Sequence, residues 1–357
     1  MRKTTVYLIV CALALSACTR ESPVGAGEAV VRISAFVSGQ GEATKAPVTG
    51  TAFPNNGTYG IFVCKHGTTD TAHKSNSWNI RALYSETLPG WTYYYVANLS
   101  SGAVASSGYD HITLTARDDE ATADLYAYSP YTQSAFSSGL EAIPYTIVDG
   151  YTGQTDLMYA VENTTNANSN LDPTSASNLR ATFTFRHAFS LLAFRFRLAH
   201  DSSNGGYSSG TTYNLTDITV TLNDPDSDGV TTAKLYSSGT FNALTGTFND
   251  DRSEVNYLSV AQNLSISSAS EYATAYLMIV PTEVANDELV FTFTMNGQTL
   301  QPFKLQRSQT LHSDSSTYGF LSGYCYTFNF TLDNYLYFDG FTVSSGWTAE
   351  TLGNMEI

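Results

Sequence analysis

Positive charge is scarce in this 357-residue sequence, which has 17 Lys and Arg residues against 32 Asp and Glu. The formal net charge of −15 repels a phosphate backbone, and no cluster of basic residues offsets it. The sequence therefore predicts that nucleic acid is not a partner. The surplus of acid instead favours solubility in a chain that is rich in aromatic side chains.

The sequence also lacks the motifs of common enzymes and cofactor sites. It has no Walker A loop, no His-Glu-x-x-His and no Gly-x-Gly-x-x-Gly after a strand. The six histidines are scattered without ligand spacing. Among them, His187 is surrounded by hydrophobic residues and is predicted to be structural. We therefore predict a protein with no enzymatic activity and no cofactor.

Cysteine is rare, and its spacing excludes a zinc or redox motif. Cys64 and Cys325 lie in opposite halves of the chain, and neither belongs to a Cys-x-x-Cys pair. In an oxidising compartment they could form a disulfide. Two buried free thiols are the interpretation that we favour, and the sequence leaves both open.

Long apolar runs are missing except at the N-terminus. There Arg2 and Lys3 precede an apolar stretch at 6–15, which is too short to span a bilayer and runs into a small-residue site that ends at Cys18. This pattern is typical of a bacterial lipobox. We interpret residues 1–17 as a lipoprotein signal peptide and Cys18 as the acylated first residue of the mature chain. The alternative is an ordinary secretory signal with a chance cysteine.

What the sequence does contain is aromatic and β-branched residues in short runs, with 24 Tyr in total. Ser, Thr, Asn and Gly fill the segments between these runs, which favours strands and polar turns over helices. Strands are predicted at 59–63, 91–96, 111–115, 125–128, 181–186, 192–198, 218–222, 276–280, 289–295, 324–332 and 341–343. Their even spacing predicts an all-β protein built of β-sandwiches, without crossover helices and without a parallel sheet.

Two aromatic clusters, at 91–95 and 335–338, have two interpretations. Aromatic faces stack on sugar rings, but Tyr and Trp are also common strand residues whose rings pack across a sheet. Packing is the interpretation that we favour for both clusters.

The length of the chain exceeds that of a single hydrophobic core, so two domains are expected. The longest region of turn-forming residues runs from Asn163 to Asn178 and is rich in Asn, Ser and Thr. We place the boundary there. The predicted N-terminal domain is 46–178 and the predicted C-terminal domain is 179–357, and both follow an N-terminal segment at 18–45.

The segment 18–45 begins with a strand whose side chains alternate with period two. The residues predicted to face the core are Val31, Ile33, Ala35 and Val37. A polar stretch that contains glycine follows and indicates an exposed linker up to Lys45. The strand is either a removable element of the N-terminal domain or an ordinary edge strand of a finished domain.

One loop offers carboxylates at alternate positions, as in the first half of an EF-hand. Asp224, Asp226 and Asp228 precede Gly229, but Leu235 stands where the loop would need a bidentate Glu. No flanking helices are evident. We therefore predict a tight acidic turn with no metal and keep a calcium site as the weaker alternative.

The order of several segments resembles the fimbrillin family of Bacteroidetes lipoproteins, which are subunits of donor-strand-assembled (type V) pili. The matching pieces are the lipobox at Cys18, the first strand at 28–38, Leu125-Tyr-Ala-Tyr-Ser-Pro-Tyr, Asp156-Leu-Met-Tyr-Ala, Phe185-Arg-His-Ala-Phe-Ser-Leu-Leu, Gly239-Thr-Phe-Asn-Ala-Leu-Thr-Gly, Leu277-Met-Ile-Val-Pro, Gly323-Tyr-Cys-Tyr-Thr-Phe-Asn-Phe and Trp347. These segments occur in this order along nearly the whole length of the chain.

The resemblance implies two transthyretin-like Greek-key β-sandwich domains in tandem. It further implies export as a lipoprotein to the cell outer membrane and assembly into an extracellular, adhesive fimbria. The implied partners are other fimbrial subunits, joined by β-strand donation, and a receptor on a host or bacterial surface.

In this family, proteolysis removes the first strand after a basic residue, which is usually Arg. The bond that corresponds here is Lys45–Ala46, and the change to Lys leaves the protease open. The short tail after Trp347 favours a tip or minor subunit. The alternative function is a surface lipoprotein that never polymerises and binds glycans for a nutrient-uptake system.

We expect Cys18→Ala to abolish lipid labelling and to release the protein from the membrane, because the acyl chains on this residue are the proposed anchor. Palmitate incorporation and membrane fractionation measure the two effects. Cys11→Ala is the matched control, since Cys11 lies within the predicted signal peptide and its loss should leave labelling unchanged. Palmitate incorporation that persists in the Cys18 variant would overturn the lipobox assignment.

Overall fold

The computed structural model describes residues 28–37, 57–85, 90–115, 122–147, 156–160, 170–174, 178–199, 212–312, 318–333 and 335–345. These residues form strands almost throughout. The helical segments within them are α1 (Ala135–Ser138) and single 3₁₀ turns at Leu140–Ala142 and Arg307–Thr310. In these ranges no helix has the length and apolar character that a membrane span requires. The predicted all-β fold is confirmed.

The strands of the first half of the chain are β1 (Glu28–Val37), β2 (Thr58–Lys65), β3 (Ile80–Tyr84), β4 (Trp91–Tyr94), β5 (Val96–Asn98), β6 (Ala103–Val104), β7 (Ile112–Thr115), β8 (Ala123–Ser129), β9 (Ile143–Thr146), β10 (Met158–Ala160) and β11 (Asn178–His187). Those of the second half are β12 (Ser190–Leu198), β13 (Tyr213–Leu222), β14 (Leu235–Asn242), β15 (Thr247–Phe248), β16 (Ser253–Val255), β17 (Tyr257–Ile266), β18 (Ala273–Ile279), β19 (Leu289–Met295), β20 (Gln298–Thr299), β21 (Phe303–Lys304), β22 (Tyr324–Leu332) and β23 (Leu336–Ser345).

The first half is built around one sheet with the strand order β4-β3-β2-β8-β10-β11-β1-β7. Its two ends approach each other, because Tyr93 of β4 and Tyr109, just before β7, exchange backbone hydrogen bonds of 2.7 and 2.9 Å. The sheet therefore curls around an enclosed apolar core. Since alternate residues of a strand face the same side, each strand contributes every second side chain to this core, as Ile61 and Val63 of β2 do.

The second half is a sandwich of two sheets, with strand orders β18-β12-β22-β23 and β17-β13-β19-β20. Phenylalanines fill the space between them. Phe194 of β12 lies with its ring centroid 5.1 Å from that of Phe291 and 5.3 Å from that of Phe293, both on β19. Such tilted and edge-on ring pairs contribute stability beyond their buried area.

Two of the strand pairs are parallel: β1 with β11, and β12 with β22. The expectation that the chain has no parallel pairing is wrong for them. It rested on the absence of crossover helices, but a parallel pair needs only a connection long enough to return to the same end. Here that connection consists of other strands, because β2 to β10 lie between β1 and β11 in the chain.

The strand β11 belongs to the sheet of the first half, where it pairs with β10 and β1. The predicted division at 178–179 would separate β11 from both partners. Only Ala188 and Phe189 connect β11 to β12, the first strand of the second half. We therefore propose that the domain boundary follows β11 instead of preceding it, whereas the tandem arrangement of two domains stays a prediction.

The two halves are joined by a hairpin that the sequence motif at 239–246 forms. β14 pairs with β9 of the first half, from Ser238 opposite Thr146 to Phe241 opposite Ile143. The buried ring of Phe241 lies 5.0 Å from that of Tyr159. Gly246 has φ +73°, and a Cβ there would lie 2.3 Å from the Tyr159 hydroxyl oxygen. Glycine therefore lets the hairpin approach Tyr159, and one hydrophobic core continues from the first half into the second.

We expect Phe241→Ala to lower the free energy of unfolding by about 3–5 kcal/mol, because it leaves a cavity where both halves meet. Tyr257→Ala is the control, since Tyr257 is 62% exposed and its loss should change stability by no more than about 0.5 kcal/mol. The measurement is urea unfolding in a Trp347→Phe background, followed by fluorescence of Trp78 and Trp91 and by far-UV circular dichroism. A shared core predicts that both transitions shift together. A shift in circular dichroism alone would contradict it.

Candidate functional site: the first strand and its slot

The strand β1 lies between two other strands for part of its length. Residues 28–31 pair with β7 in antiparallel register, and residues 30–37 pair with β11 in parallel register. Only residues 30 and 31 therefore have a strand on both sides, whereas 28–29 and 32–37 have a strand on one side. At residues 30 and 31 β1 is not an edge strand, and its removal stays a prediction.

Side chains of β1 alternate between core and surface in the part that the structure describes. Val31 and Ile33 are buried, and Arg32 between them is exposed. Ala35 is half-buried. Val37 pairs with Phe185 in the backbone ladder, but its side chain lies outside the described atoms.

Sequence reasoning missed that β1 is buried on both faces at its beginning. Ala29 and Val30 are both buried, although adjacent residues point to opposite faces of a strand. The signal was present, since Ala29, Val30 and Val31 form a continuous apolar run before the alternation starts. Such a run is typical of a strand that is covered on both sides.

The core face of β1 packs into the enclosed core of the first half. Val31 and Ile33 belong to the same cluster as Ile112 and Leu114 of β7 and Phe183 of β11. Burying each branched side chain contributes about 1.5–3 kcal/mol, before the cost of ordering the strand is subtracted. β1 therefore stabilises the first half through its side chains as well as through its ladder.

The backbone of β7 shows what the departure of β1 would leave. On the edge of β7 away from β1, the N–H of Thr113 donates to the Tyr95 hydroxyl at 2.8 Å, and that of Thr115 donates to His73 Nε2 at 3.1 Å. That edge is satisfied within the first half. The edge that faces β1 has β1 as its partner, so removal of β1 would leave unpaired groups on both β7 and β11.

The slot between β7 and β11 sets requirements on any strand that occupies it. A strand that reproduces the ladder of β1 would run parallel to β11 and antiparallel to β7. It must place an apolar side chain at every second position, because the slot opens onto an apolar core. Addition of a β-strand to an exposed sheet edge meets these requirements, with affinity from the ladder and specificity from the alternate side chains.

The predicted processing and lipidation residues Cys18, Lys45 and Ala46 lie outside the described residues. So do Trp347, the tail after it and most of the stretch from Asn163 to Asn178. In the chain, Lys45 lies between the end of β1 at Val37 and the start of β2 at Thr58. A cut at Lys45 therefore separates β1 from every later strand.

The two cysteines of the folded region are free thiols, as predicted, and both are buried. Burial raises the pKa of Cys64 to about 12, with smaller contributions from the charges of Asp124 and Asp70. Burial also raises the pKa of Cys325 to about 12. Because the thiolate is the reactive form, neither residue is suited to be a nucleophile at neutral pH.

His187 lies at the end of β11 in a buried pair with Asp156. Its Nδ1 lies 2.6 Å from Asp156 Oδ2, and both side chains are almost completely buried. Asp156 lies just before β10, and Met158 of β10 pairs with His187 in the ladder. The pair thus ties the beginning of β10 to the end of β11, which agrees with the structural role predicted for His187.

The acidic loop follows β13, and its three carboxylates lie close together. Oxygen atoms of Asp224, Asp226 and Asp228 are within 4.8 Å of one another. Asp224 Oδ2 accepts the N–H of Gly229 at 2.7 Å, and this hydrogen bond lowers the pKa of Asp224. The hydrogen bond between the carboxyl groups of Asp224 and Asp226 raises the pKa of Asp226. Leu235, at the position where calcium would need a Glu, is buried at the start of β14. The absence of a bound metal stays a prediction.

Comparison with known proteins gives one family match. A sequence model of a family described as fimbrillin-like matches residues 44–351. No curated protein matches the chain. A proposed cell adhesion protein from Bacteroides ovatus has a similar structure, with a TM-score of 0.52 at 16% identity over 89% of this chain and 97% of that chain. A second, from Bacteroides uniformis, has a TM-score of 0.53 at 16% identity over 90% of this chain and 98% of that chain. At this identity the two structures show a shared fold.

We expect Ile33→Asp to destabilise the protein by several kcal/mol and to promote aggregation, because it places an unpaired carboxylate in the core. Arg32→Asp is the matched control one residue away. Arg32 is exposed and lies opposite Arg180 in the ladder, so an acid there adds no buried charge and no repulsion. Thermal unfolding and light scattering measure the effects. If both variants melt at the wild-type temperature, the core face of β1 does not hold the first half together.

Proposed function

The chain belongs to the fimbrillin-like family, and on that premise we propose that it is a structural and adhesive subunit of a bacterial fimbria assembled by replacement of β1. The observation that carries the proposal is the position of β1, which is hydrogen-bonded on both sides at residues 30 and 31 and precedes Lys45 in the chain. The family match also agrees with the prediction of a structural protein that is not an enzyme.

Hydrolysis of the Lys45–Ala46 bond would turn β1 into a separate peptide. After the cut, only its ladder to β7 and β11 and its buried side chains would hold it in place. Both are interactions that another strand of suitable pattern can make equally well. A strand from a neighbouring subunit could then enter the slot, and the two molecules would be joined without a covalent bond.

The same cut would also change where the subunit is held. Cys18 and β1 lie on the same side of Lys45, so the acylated segment would separate from the rest of the chain. We propose that the lipid holds the precursor at the outer membrane and that the subunit passes to the extracellular fimbria after cleavage. A tip or minor position in the fimbria remains part of this proposal, and it rests on the family resemblance.

The alternative is a glycan-binding lipoprotein that never polymerises. Both functions are compatible with an all-β fold and with a lipid anchor. Assembly distinguishes them, because only the fimbrial subunit requires that β1 leave and that another strand replace it.

We expect Lys45→Ala to give a folded, lipidated monomer that does not polymerise, because β1 stays covalently attached to the first half. The wild-type protein treated with a trypsin-like protease should form ladders on gels of unboiled samples. Lys304→Ala is the control, since Lys304 is exposed on β21 in the second half and its loss leaves the β1 connection unchanged. Entry of the Lys45→Ala protein into fimbriae of wild-type length would show that cleavage at this bond is not the trigger.

A peptide exchange assay separates strand replacement from cleavage. The cut protein is incubated with a labelled peptide of residues 28–37 and, in parallel, with the same peptide carrying Ile33→Asp. The wild-type peptide should enter the slot and remain bound on an unboiled gel, and the variant peptide should not. Equal binding of the two peptides would mean that the alternate apolar side chains do not select the occupant.

A further inference from the structure

A polar face with two aromatic walls lies on the outer side of the sheet β18-β12-β22-β23. It occupies the end of the sheet that is distant from Ser190, where the chain enters the second half. In the ladder, Arg195 of β12 lies between Thr274 of β18 and Asn329 of β22. Side chains that are opposite each other in neighbouring strands share a face, so these three are neighbours on the outer surface.

The first wall of this face consists of two arginines that stack on one tyrosine. The guanidinium carbons of Arg195 and Arg197 lie 4.5 and 4.9 Å from the ring centroid of Tyr272. Arg197 is further held by Asp339, at 3.4 Å from its Nη2, and by the hydroxyl of Thr331, at 3.2 Å from its Nε. Stacking fixes the guanidinium planes without using their N–H donors.

Within the part of the chain that the structure describes, Arg195 differs from Arg197 in having no carboxylate partner. Among the residues that the structure describes, none forms an ion pair with Arg195. Of the two arginines, only Arg197 is paired with the carboxylate of Asp339 in the described ranges. This part of the face has a local surplus of positive charge in a chain whose formal net charge is −15.

The floor of the face is open and carries an unused acceptor. Gly340 of β23 lies opposite Asn329, and a Cβ on Gly340 would have no atom within 4 Å. Asn329 Oδ1 is buried and has no hydrogen-bond partner among the described residues. Such an orphaned atom indicates a missing partner, since nearly all buried polar atoms are hydrogen-bonded.

The second wall is Tyr337 of β23, which is 50% exposed. It pairs with Thr331, which pairs in turn with Arg197, so Tyr337 lies on the same face as the arginines. We call the part of this face that crosses β22, between the Arg195–Tyr272–Arg197 stack and Tyr337, the trough.

We propose that this trough binds an acidic saccharide, a sugar chain that carries a carboxylate. The free guanidinium of Arg195 offers the planar pair of donors that matches a carboxylate. The half-exposed ring of Tyr337 offers an apolar surface for the face of a sugar ring. Asn329, Thr331 and Asp339 offer donors and acceptors for hydroxyl groups.

Charge decides between this ligand and other polymers. The acidic chain as a whole repels nucleic acid, so attraction of an anion has to be local and short-ranged. A shallow open face also suits an extended saccharide better than a small molecule, which needs a concave pocket. The trough lies on the second half and does not include β1, so the proposal does not depend on strand replacement.

Isothermal titration of the uncut monomer tests the proposal with paired probes: sialyllactose against lactose, and a disaccharide ending in glucuronic acid against its glucose counterpart. We expect at least one acidic probe to bind about tenfold or more tightly than its neutral partner, as loss of a charged hydrogen bond implies. The affinity should fall as salt is added. The probe that binds identifies whether the carboxylate comes from a sialic or a uronic acid, and either result supports the site.

Arg195→Ala should remove the preference for the acidic probe, and Tyr337→Ala should weaken binding of both probes of the pair. Arg252→Ala is the matched control, because Arg252 also stacks on a tyrosine, Tyr236 at 4.3 Å, but directly precedes β16, which belongs to a different sheet. Circular dichroism confirms that each variant folds.

The proposal is overturned if neither acidic probe is preferred, if Arg195→Ala binds like the wild type, or if an acidic peptide binds more tightly than the saccharides. A failure of Lys45-dependent assembly would leave these outcomes unchanged.

Discussion

The first half of the chain depends on the pairing of β1 with β11. β1 supplies the link between β11 and β7, so it completes a sheet that curls until its two ends meet at Tyr93 and Tyr109. The partners are far apart in sequence, since Val30 lies opposite Asn178. Such non-local closure has an entropic cost that the buried side chains of β1 must offset. Side chains and ladder hold the strand in place, and its replacement after cleavage stays a prediction.

The second constraint is the aromatic core that joins the two halves. The ring of Phe241 from the second half contacts Tyr159 from the first, and Tyr145 of β9 contacts Phe189 of the connection. The favoured interpretation of the aromatic cluster at 91–95 is supported, since Trp91 packs against Tyr59 and Tyr84. The cluster at 335–338 is different, because Tyr335 and Tyr337 are mostly exposed. The packing interpretation is therefore not supported for Tyr335 and Tyr337, which lie just before and at the start of β23.

The sequence pattern predicted strands well where apolar and polar residues alternate, and poorly elsewhere. The predicted bounds of 289–295 and 324–332 are those of β19 and β22. β14 and β17 were not predicted, because their Ser, Gly and Asn residues are unfavourable in isolation and the pairing with distant strands decides their conformation. The predicted domain boundary at 178–179 stays a prediction, although it would separate β11 from its ladder partners. Turn-forming residues at 163–178 indicate a loop, whereas the passage between halves is made by Ala188 and Phe189, which are buried and carry no turn signal. Alternation also indicated that Val31 and Ile33 of β1 face the core. The identity and direction of the strands that flank β1 depend on pairing with distant residues, and a local sequence pattern does not predict that pairing.

The direction of the slot has a consequence for the shape of any assembly built through it. A strand that reproduces the ladder of β1 runs parallel to β11 and antiparallel to β7. The resulting contact joins two different surfaces, the donated strand of one molecule and the slot of the next, and is therefore heterologous. A contact of this kind does not close on itself as a twofold dimer does, and it repeats into an open chain unless its rotation closes a ring. Every copy would face the same way, so the two ends of the fibre would be chemically distinct. One end would present an unfilled slot, and the other end would present a donor strand that is not bound in a slot.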